Sequence, residues 1–287
     1  MKKIVSLMLA LTLIMTYSCK KDDKKKDEPK KVSCLVKKVE YNDSADANIH
    51  NTKTYEYNEE TGIIKKYTKS GSYKKDDGTY GNYSYVYKYI YEDESKGLLD
   101  AIEIYVGADV GARLKYTNAN DKVVERKFEW PAQGGGWYSI PEWIVGYTYD
   151  GNGKVTQIRI QDNKLDNQGQ PDNPTDETGV LTYTGDNNTN TKWYDTTDIN
   201  GTVKEELTYT YDSKNKPFSK VKTNEYAKTS INNLTGLVYN VYGASPSSQT
   251  RVYSVEYNGK DMPTKSDKAD DRGTAISSTK YTYLNCD

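Results

Sequence analysis

The chain has 287 residues with a formal net charge of −1, and 28 of its residues are tyrosine while only 2 are phenylalanine. So small a net charge gives no electrostatic reason to bind nucleic acid. One histidine and three cysteines leave little material for a histidine-activated nucleophile or for a zinc site.

The first eighteen residues have the pattern of an export signal. A basic start is followed by an apolar run, 4–15, that is too short to cross a bilayer core of about 30 Å. Cys19 follows the small residue Ser18, so the stretch resembles a bacterial lipobox, in which the cysteine is acylated and becomes the mature N-terminus. Thr16 departs from the usual leucine, and an ordinary secretory signal is the alternative. We predict a signal peptide over 1–18 and lipidation at Cys19.

A charged segment follows, KKDDKKKDEPKK at 20–31, with seven basic and four acidic residues. It has too little apolar surface to fold, so residues 19–33 are predicted to be a solvated tether. The signal peptide contributes +2 and the tether +3, which leaves residues 32–287 at −6. In gut bacteria such a run after a lipidated cysteine resembles the signal for the outer face of the outer membrane. We therefore predict an outer-membrane protein that is lipid-anchored and exposed at the cell surface.

Residues 34–287 contain eight related segments, the clearest of which is YTYDGNGKVTQI at 147–158. Each has alternating aromatic and polar residues, then turn residues such as Asp, Asn and Gly, then renewed alternation, which is the pattern of a β-hairpin. A repeat of about 30 residues indicates one structural unit with variable loops. We predict an all-β antiparallel meander of about 14–16 strands that curls into a barrel-like or strongly curved sheet. An open twisted sheet and a two-layer sandwich are the alternatives. The segments start at residues 55, 89, 114, 147, 181, 209, 255 and 281.

The unit Tyr-x-Tyr-Asp-x-x-Gly-Lys-Val resembles the YD repeats of Rhs-type bacterial surface proteins. Together with the lipobox and the charged tether, it is similar to a family of gut-bacterial lipoproteins that carry a domain of unknown function with a porin-like fold. The match is clean only at 147–158, since the unit at 209 lacks the glycine and the unit at 181 lacks the tyrosine pair. The resemblance implies a curled antiparallel meander and implies no activity.

Two cysteines remain once Cys19 is assigned to the lipid. Cys34 stands where the first strand is predicted to begin, and Cys286 is next to the last residue. Thiols of an exported chain tend to pair, and a Cys34–Cys286 disulfide would make the first and last strands neighbours. Free thiols in a reducing niche are the alternative.

Most of the catalytic and metal sites considered for this sequence lack the residues or the spacing that they require. His50 lies in a polar stretch that is predicted to be a loop between the first two strands. A calcium loop starting at Asp150 would place Lys154 at a ligand position, where its charge repels the ion. Carboxylate pairs for glycoside hydrolysis depend on distances that sequence does not show. We predict no catalytic residues, no metal and no cofactor.

One segment departs from the repeat, FEWPAQGGGWYSIPEWIV at 128–145. Flat aromatic rings on a loop are a common means of contacting sugar rings or a partner protein. Trp130, Trp137, Tyr138 and Trp143 are therefore the candidate ligand-binding residues, and the structural alternative is a barrel plug or an extended hairpin. We predict a non-catalytic surface lipoprotein with a binding or scaffold role, whose ligand is a glycan or an outer-membrane partner protein. A shell-like YD-repeat protein and a glycan-active enzyme are the alternatives.

Overall fold

The computed structural model describes residues 31–286 except 139, 165, 167–169, 171, 173 and 224–229. The predicted signal peptide, Cys19 and the tether up to residue 30 lie outside the described residues. The strands are β1 (Leu35–Asp43), β2 (His50–Asn58), β3 (Ile63–Lys74), β4 (Tyr80–Asp93), β5 (Leu98–Val106), β6 (Asp109–Ala119), β7 (Lys122–Glu129), β8 (Trp143–Tyr149), β9 (Val155–Asp162), β10 (Thr175–Thr184), β11 (Asn187–Tyr194), β12 (Glu205–Asn215), β13 (Asn232–Val241), β14 (Ser247–Tyr257), β15 (Pro263–Asp270) and β16 (Ala275–Leu284).

Each strand pairs antiparallel with the next one, and β1 pairs with β16, so the sheet is a closed barrel of sixteen strands. The predicted all-β meander is confirmed, and the closure excludes the open sheet and the sandwich. Among the described residues there is no helix, and hence none that could span a bilayer. The connection between β9 and β10 spans only 163–174, because the two strands extend until Asp162 pairs with Thr175.

The barrel has two different ends. Even-numbered strands finish at what we call the turn end, where the connections are mostly tight turns and where residues 34 and 286 lie. Odd-numbered strands finish at the loop end, which carries the longer connections 130–142, 163–174 and 195–204. The Tyr-x-Tyr pairs of the repeat stand in the even strands just before the turn end.

A β-bulge recurs at the same place in every pairing at the turn end. In the β2–β3 hairpin, Glu56 pairs with Lys66 but Tyr57 pairs with Ile64, so Lys65 has no opposite residue. Bulges increase local twist and bend the strand, and they are common at barrel rims. The eight bulges lie opposite Tyr57, Tyr91, Asn118, Tyr149, Tyr183, Tyr211, Tyr257 and Tyr283.

The side chains at these positions are anchored to the backbone of the preceding odd strand. Six of the eight donate a hydrogen bond to a main-chain oxygen at the first or second residue of that strand, which leaves each side chain partly buried with its donor satisfied. In the other two hairpins, Tyr257 donates to Asp212, and the Tyr183 hydroxyl has no partner among the described residues. The six bonds are Tyr57 to Val36 (2.7 Å), Tyr91 to Ile64 (2.5 Å), Asn118 to Leu99 (2.8 Å), Tyr149 to Val123 (2.6 Å), Tyr211 to Asn188 (2.7 Å) and Tyr283 to Pro263 (2.6 Å).

The aromatic face of the strands points into the barrel. Tyr55, Tyr67 and Tyr87 are cross-strand neighbours whose rings lie 5.2 and 4.2 Å apart, and Tyr55 is buried. Such cross-strand aromatic pairs stabilise a sheet by about 0.2–1 kcal/mol each. The alternate residues of the same strands, such as Glu56 and Lys88, are exposed.

Part of the β12–β13 connection crosses the mouth of the barrel at the turn end. The Lys222 amide donates to the Gly62 oxygen at 3.0 Å, on the far side of the barrel from β12. Val221 is buried in the core cluster, and the Phe218 ring meets Tyr55 at 5.2 Å. Gly62 has a φ of 75°, and a Cβ there would lie 3.0 Å from the Lys220 oxygen. Glycine is therefore required both by the turn and by this close approach.

A disulfide joins Cys34 to Cys286 at the turn end. The Cys34 amide also donates to the Asn285 oxygen at 3.2 Å, and both residues have a positive φ, 59° and 52°. At the other seven pairings of the turn end a peptide connection joins the two strands. The β16–β1 pairing is thus an eighth hairpin whose covalent link is the disulfide.

We expect Tyr91→Phe to lower the free energy of unfolding by about 1–2 kcal/mol, because the buried Ile64 oxygen loses its donor while the ring stays in place. Urea unfolding followed by circular dichroism measures this. Tyr73→Phe is the control, since Tyr73 is 47% exposed. Equal stability of the two variants would contradict the proposed anchoring.

We expect the double variant Cys34→Ala and Cys286→Ala to remain a closed barrel, because β1 and β16 still pair, but to be less stable. The bond encloses a sequence separation of 252 residues, for which loop entropy sets a ceiling of about 5 kcal/mol. Unfolding of wild type with and without reductant should show the same loss. If reductant leaves the stability of the wild type unchanged, and if a non-reducing digest contains no peptide that links both cysteines, the bond is absent.

Candidate ligand-binding site

The tryptophan segment forms a short extension of the β7–β8 hairpin at the loop end. Pro131 and Trp137 form an isolated β-bridge, and the Tyr138 amide donates to the Trp130 oxygen at 3.1 Å. Three consecutive glycines, 134–136, turn the chain with positive φ values. The segment is therefore ordered by backbone hydrogen bonds on both sides of its turn.

The four aromatic residues of this segment do not share one surface. Trp130 is 40% exposed, and its indole Nε1 donates to Glu142 Oε2 at 2.7 Å. Trp143 pairs with the inward-facing Phe128 in the sheet, whereas Trp137 follows the outward face through its bridge to Pro131. Only Trp130, with the partly exposed Tyr138 beside it, is placed to meet a ligand at the rim.

Arginine side chains cover the other two indole rings. The guanidinium carbon of Arg113 lies 4.1 Å from the centre of the Trp137 ring, and Arg113 also donates to Glu129 at 2.6 Å. The guanidinium of Arg126, a buried residue, lies 4.7 Å from the Trp143 ring. These cation–π contacts hold the two rings against the barrel wall.

The remaining sequence candidates have structural roles. His50 is the first residue of β2, not a loop residue as predicted, because its backbone continues the pairing with Asn42. In the turn after β8, Asp150 Oδ1 accepts from the Asn152 and Lys154 amides, both at 2.9 Å. The described ranges contain no group of three acidic, histidine or cysteine side chains that could hold a metal.

The outward face of the barrel is polar and charged. Lysine or arginine faces an acidic residue on the same or a neighbouring strand over much of the circumference, and these pairs are exposed to solvent. Exposed ion pairs contribute little to the stability of the fold, but they make the outer surface of the barrel hydrophilic. Examples are Lys66–Glu56 (2.7 Å), Lys127–Glu125 (2.8 Å), Arg159–Asp176 (2.5 Å) and Lys265–Asp267 (2.5 Å).

A cavity of about 360 Å³ lies inside the barrel between β12 and β16, against the turn end. That volume is within the range of small-ligand sites, about 300–1,000 Å³. The rings of Tyr209, Tyr211, Tyr253 and Tyr281 line it, together with Ser266. Sequence analysis missed this site because its residues come from five strands, and only the sheet register brings them together.

The cavity contains hydroxyl groups that bind no other described residue. Tyr211 donates to the Asn188 oxygen and accepts from Ser230, so its hydroxyl is occupied. The hydroxyls of Tyr253, Tyr281 and Ser266 make no hydrogen bond within the described ranges. Burial raises the pKa of both tyrosines, so at neutral pH each phenol keeps a proton to donate.

The fold defines a class of protein, a sixteen-stranded antiparallel barrel with an aromatic interior. Among solved structures the chain is similar to a porin-like protein from Bacteroides uniformis, with a TM-score of 0.54 and 15% identity over 87% of this chain and 98% of that chain. A porin-like protein from Bacteroides vulgatus aligns with a TM-score of 0.29 and 10% identity over 88% and 99%. The first likeness shows the fold alone. No protein-family model and no curated protein matches the chain.

We expect the barrel to lose stability as the pH rises from about 10 to about 12. Burial raises the pKa of Tyr149 and of Tyr183 to about 12, above the ordinary value of 10.0. An acid with a raised folded-state pKa contributes stability that is present below the unfolded pKa and is lost as the pH rises through the folded one. Urea unfolding at a series of pH values, with phenolate absorbance, measures this. Tyr149→Phe should shrink the loss, and a titration centred near 10 for every tyrosine would contradict the prediction.

Proposed function

We propose that the chain is a lipid-anchored outer-membrane protein whose barrel stands in water and binds carbohydrate rings in its tyrosine-lined interior, without catalysis. The observation that carries the proposal is the polarity of the wall. A barrel immersed in lipid needs an apolar outward band about 25 Å tall. Here the outward face is charged and the inward face is aromatic, which suits a protein that takes its ligand inside.

The cavity supports a sugar more than a purely apolar ligand. Tyrosine rings present flat apolar faces, and the free hydroxyls of Tyr253, Tyr281 and Ser266 offer hydrogen bonds at their edges. A sugar ring needs both kinds of contact. A cavity of this volume holds a small molecule or the end of a chain, which argues against a shell around a protein cargo.

The loop end supports a second contact. Trp130 is exposed at the rim with its indole nitrogen already bonded, so its ring face remains for stacking. Because the segment 216–223 crosses the barrel at the turn end, we expect a ligand to enter from the loop end. Trp130 and Tyr138 would then contact the outer part of a longer glycan.

The location of the protein rests on the sequence. The pattern around Cys19 favours acylation, and the polar outward face gives the barrel no other means of holding a membrane. We expect Cys19→Ala to move the protein from the membrane fraction to the soluble fraction. Cys286→Ala is the matched control and should leave it in the membrane. A Cys19→Ala protein that stays with the membrane would refute the anchor.

We expect the full-length lipidated protein in detergent to bind neutral sugars, tested by saturation-transfer NMR with glucose, galactose, mannose and their oligomers. Tyr253→Leu removes a ring and a hydroxyl from the cavity and should weaken binding by about tenfold, or about 1.4 kcal/mol. Tyr105→Leu, on the outward face of β5, is the control. If no sugar binds, or if both variants bind like wild type, the interior is not a carbohydrate site.

A further inference from the structure

Two cationic side chains stand beside the cavity on the inward face. Arg251 is two residues before Tyr253 on β14, and Lys268 is two residues after Ser266 on β15. A two-residue step along a strand keeps the face and moves about 7 Å. Both steps lead towards the loop end, so the two cations lie on the loop-end side of the cavity. The sheet register also places Lys268 on the inward face, since Lys268 pairs with the cavity residue Tyr253.

Neither cation has an anionic partner among the described residues. Arg251 donates to the neutral Gln249 at 2.6 Å, and Lys268 forms no ion pair. Asp270 is the cross-strand neighbour of Arg251, but its Oδ1 accepts from the Arg272 and Thr274 amides in the turn that follows.

The contrast with another partly buried lysine is informative. Lys204 lies between Glu177 and Asp195, at 2.6 and 2.8 Å, so its charge is compensated twice. Lys268 instead has the like charge of Arg251 nearby, and burial together with that charge lowers the pKa of Lys268. Uncompensated like charges inside a barrel are costly unless something of opposite sign joins them.

We infer that the cavity and these two cations form one site for an anionic sugar, a carbohydrate ring that bears a carboxylate or a sulfate. The ring would lie among Tyr209, Tyr253 and Tyr281, and the anionic group would lie between Arg251 and Lys268. This inference rests on the proposed carbohydrate binding and adds the charge of the ligand. A simple inorganic anion would use the cations but leave the tyrosine rings and free hydroxyls without a role.

The test compares charged and neutral forms of the same sugars on the full-length protein. Probes are glucuronate with glucose, galacturonate with galactose, and glucose 6-sulfate, each titrated by calorimetry or NMR in detergent. We expect an anionic probe to bind on the order of tenfold more tightly than its neutral parent, because charge-assisted hydrogen bonds are about twice as strong as neutral ones. High salt should reduce that preference.

The variants Arg251→Gln and Lys268→Gln should remove most of the preference while neutral-sugar binding stays within about twofold of wild type. Lys280→Gln is the matched control, because Lys280 lies on the neighbouring β16 but alternates to the outward face with Lys265. Circular dichroism and melting curves show whether each variant folds, and if Arg251→Gln does not fold, Lys268→Gln decides alone.

The outcomes separate the two proposals. Neutral and anionic sugars bound equally well would overturn the inference and leave carbohydrate binding intact. If the preference for anionic sugars persists in both Arg251→Gln and Lys268→Gln, the inference is also overturned, because the anion would then bind elsewhere. No binding of any sugar would defeat both proposals, and carboxylate binding without sulfate binding would support the inference and identify the anionic group.

Discussion

The hydrogen bond from a tyrosine hydroxyl to a backbone oxygen beside a β-bulge is the contact on which the rest of the barrel depends. The bulge leaves an extra residue on the odd strand and bends it, and the tyrosine of the following even strand bonds to an oxygen beside this bend, as Tyr57 of β2 does at Val36 of β1. Repeated around the turn end, the bond couples each hairpin to the hairpin before it. Tyrosine suits the position because phenylalanine would fill the space and leave the oxygen unpaired.

This arrangement explains why the interior is aromatic although the chain has few large aliphatic residues. A sixteen-stranded barrel is too wide to be filled by side chains in one layer. Long tyrosine side chains narrow the interior, and the segment 216–223 crosses it at the turn end. A small chamber lies between β12 and β16 with phenol groups at its surface. The outward face does not pack against other parts of the barrel, and it carries exposed pairs of lysine and acidic residues.

The repeat of Tyr-x-Tyr and turn residues was sufficient to predict the strands, their antiparallel order and the curling of the sheet, because hairpin chemistry is local. The predicted export signal and the number of cysteines pointed to the disulfide that the structure contains. The bulges could not be predicted. Ile64 and Tyr67 both face inward although they are three residues apart, which breaks the two-residue period that pattern analysis uses. The divided tryptophan segment and the placement of Arg251 and Lys268 on one face depend on that same register. The contact between Lys222 and Gly62 depends on chain geometry across the whole barrel.

The disulfide at the turn end takes the place of a peptide turn, so the eight hairpins form a ring in which no position is structurally the first. A circularly permuted chain, with Cys34 and Cys286 replaced by a short Asn-Gly link and new termini opened in the turn between β14 and β15, would contain the same eight bulges and the same inward face. The fold therefore constrains the neighbours of each hairpin but leaves the starting point of the chain free. The proposed site of membrane attachment could then be moved around the rim without changing the chamber inside.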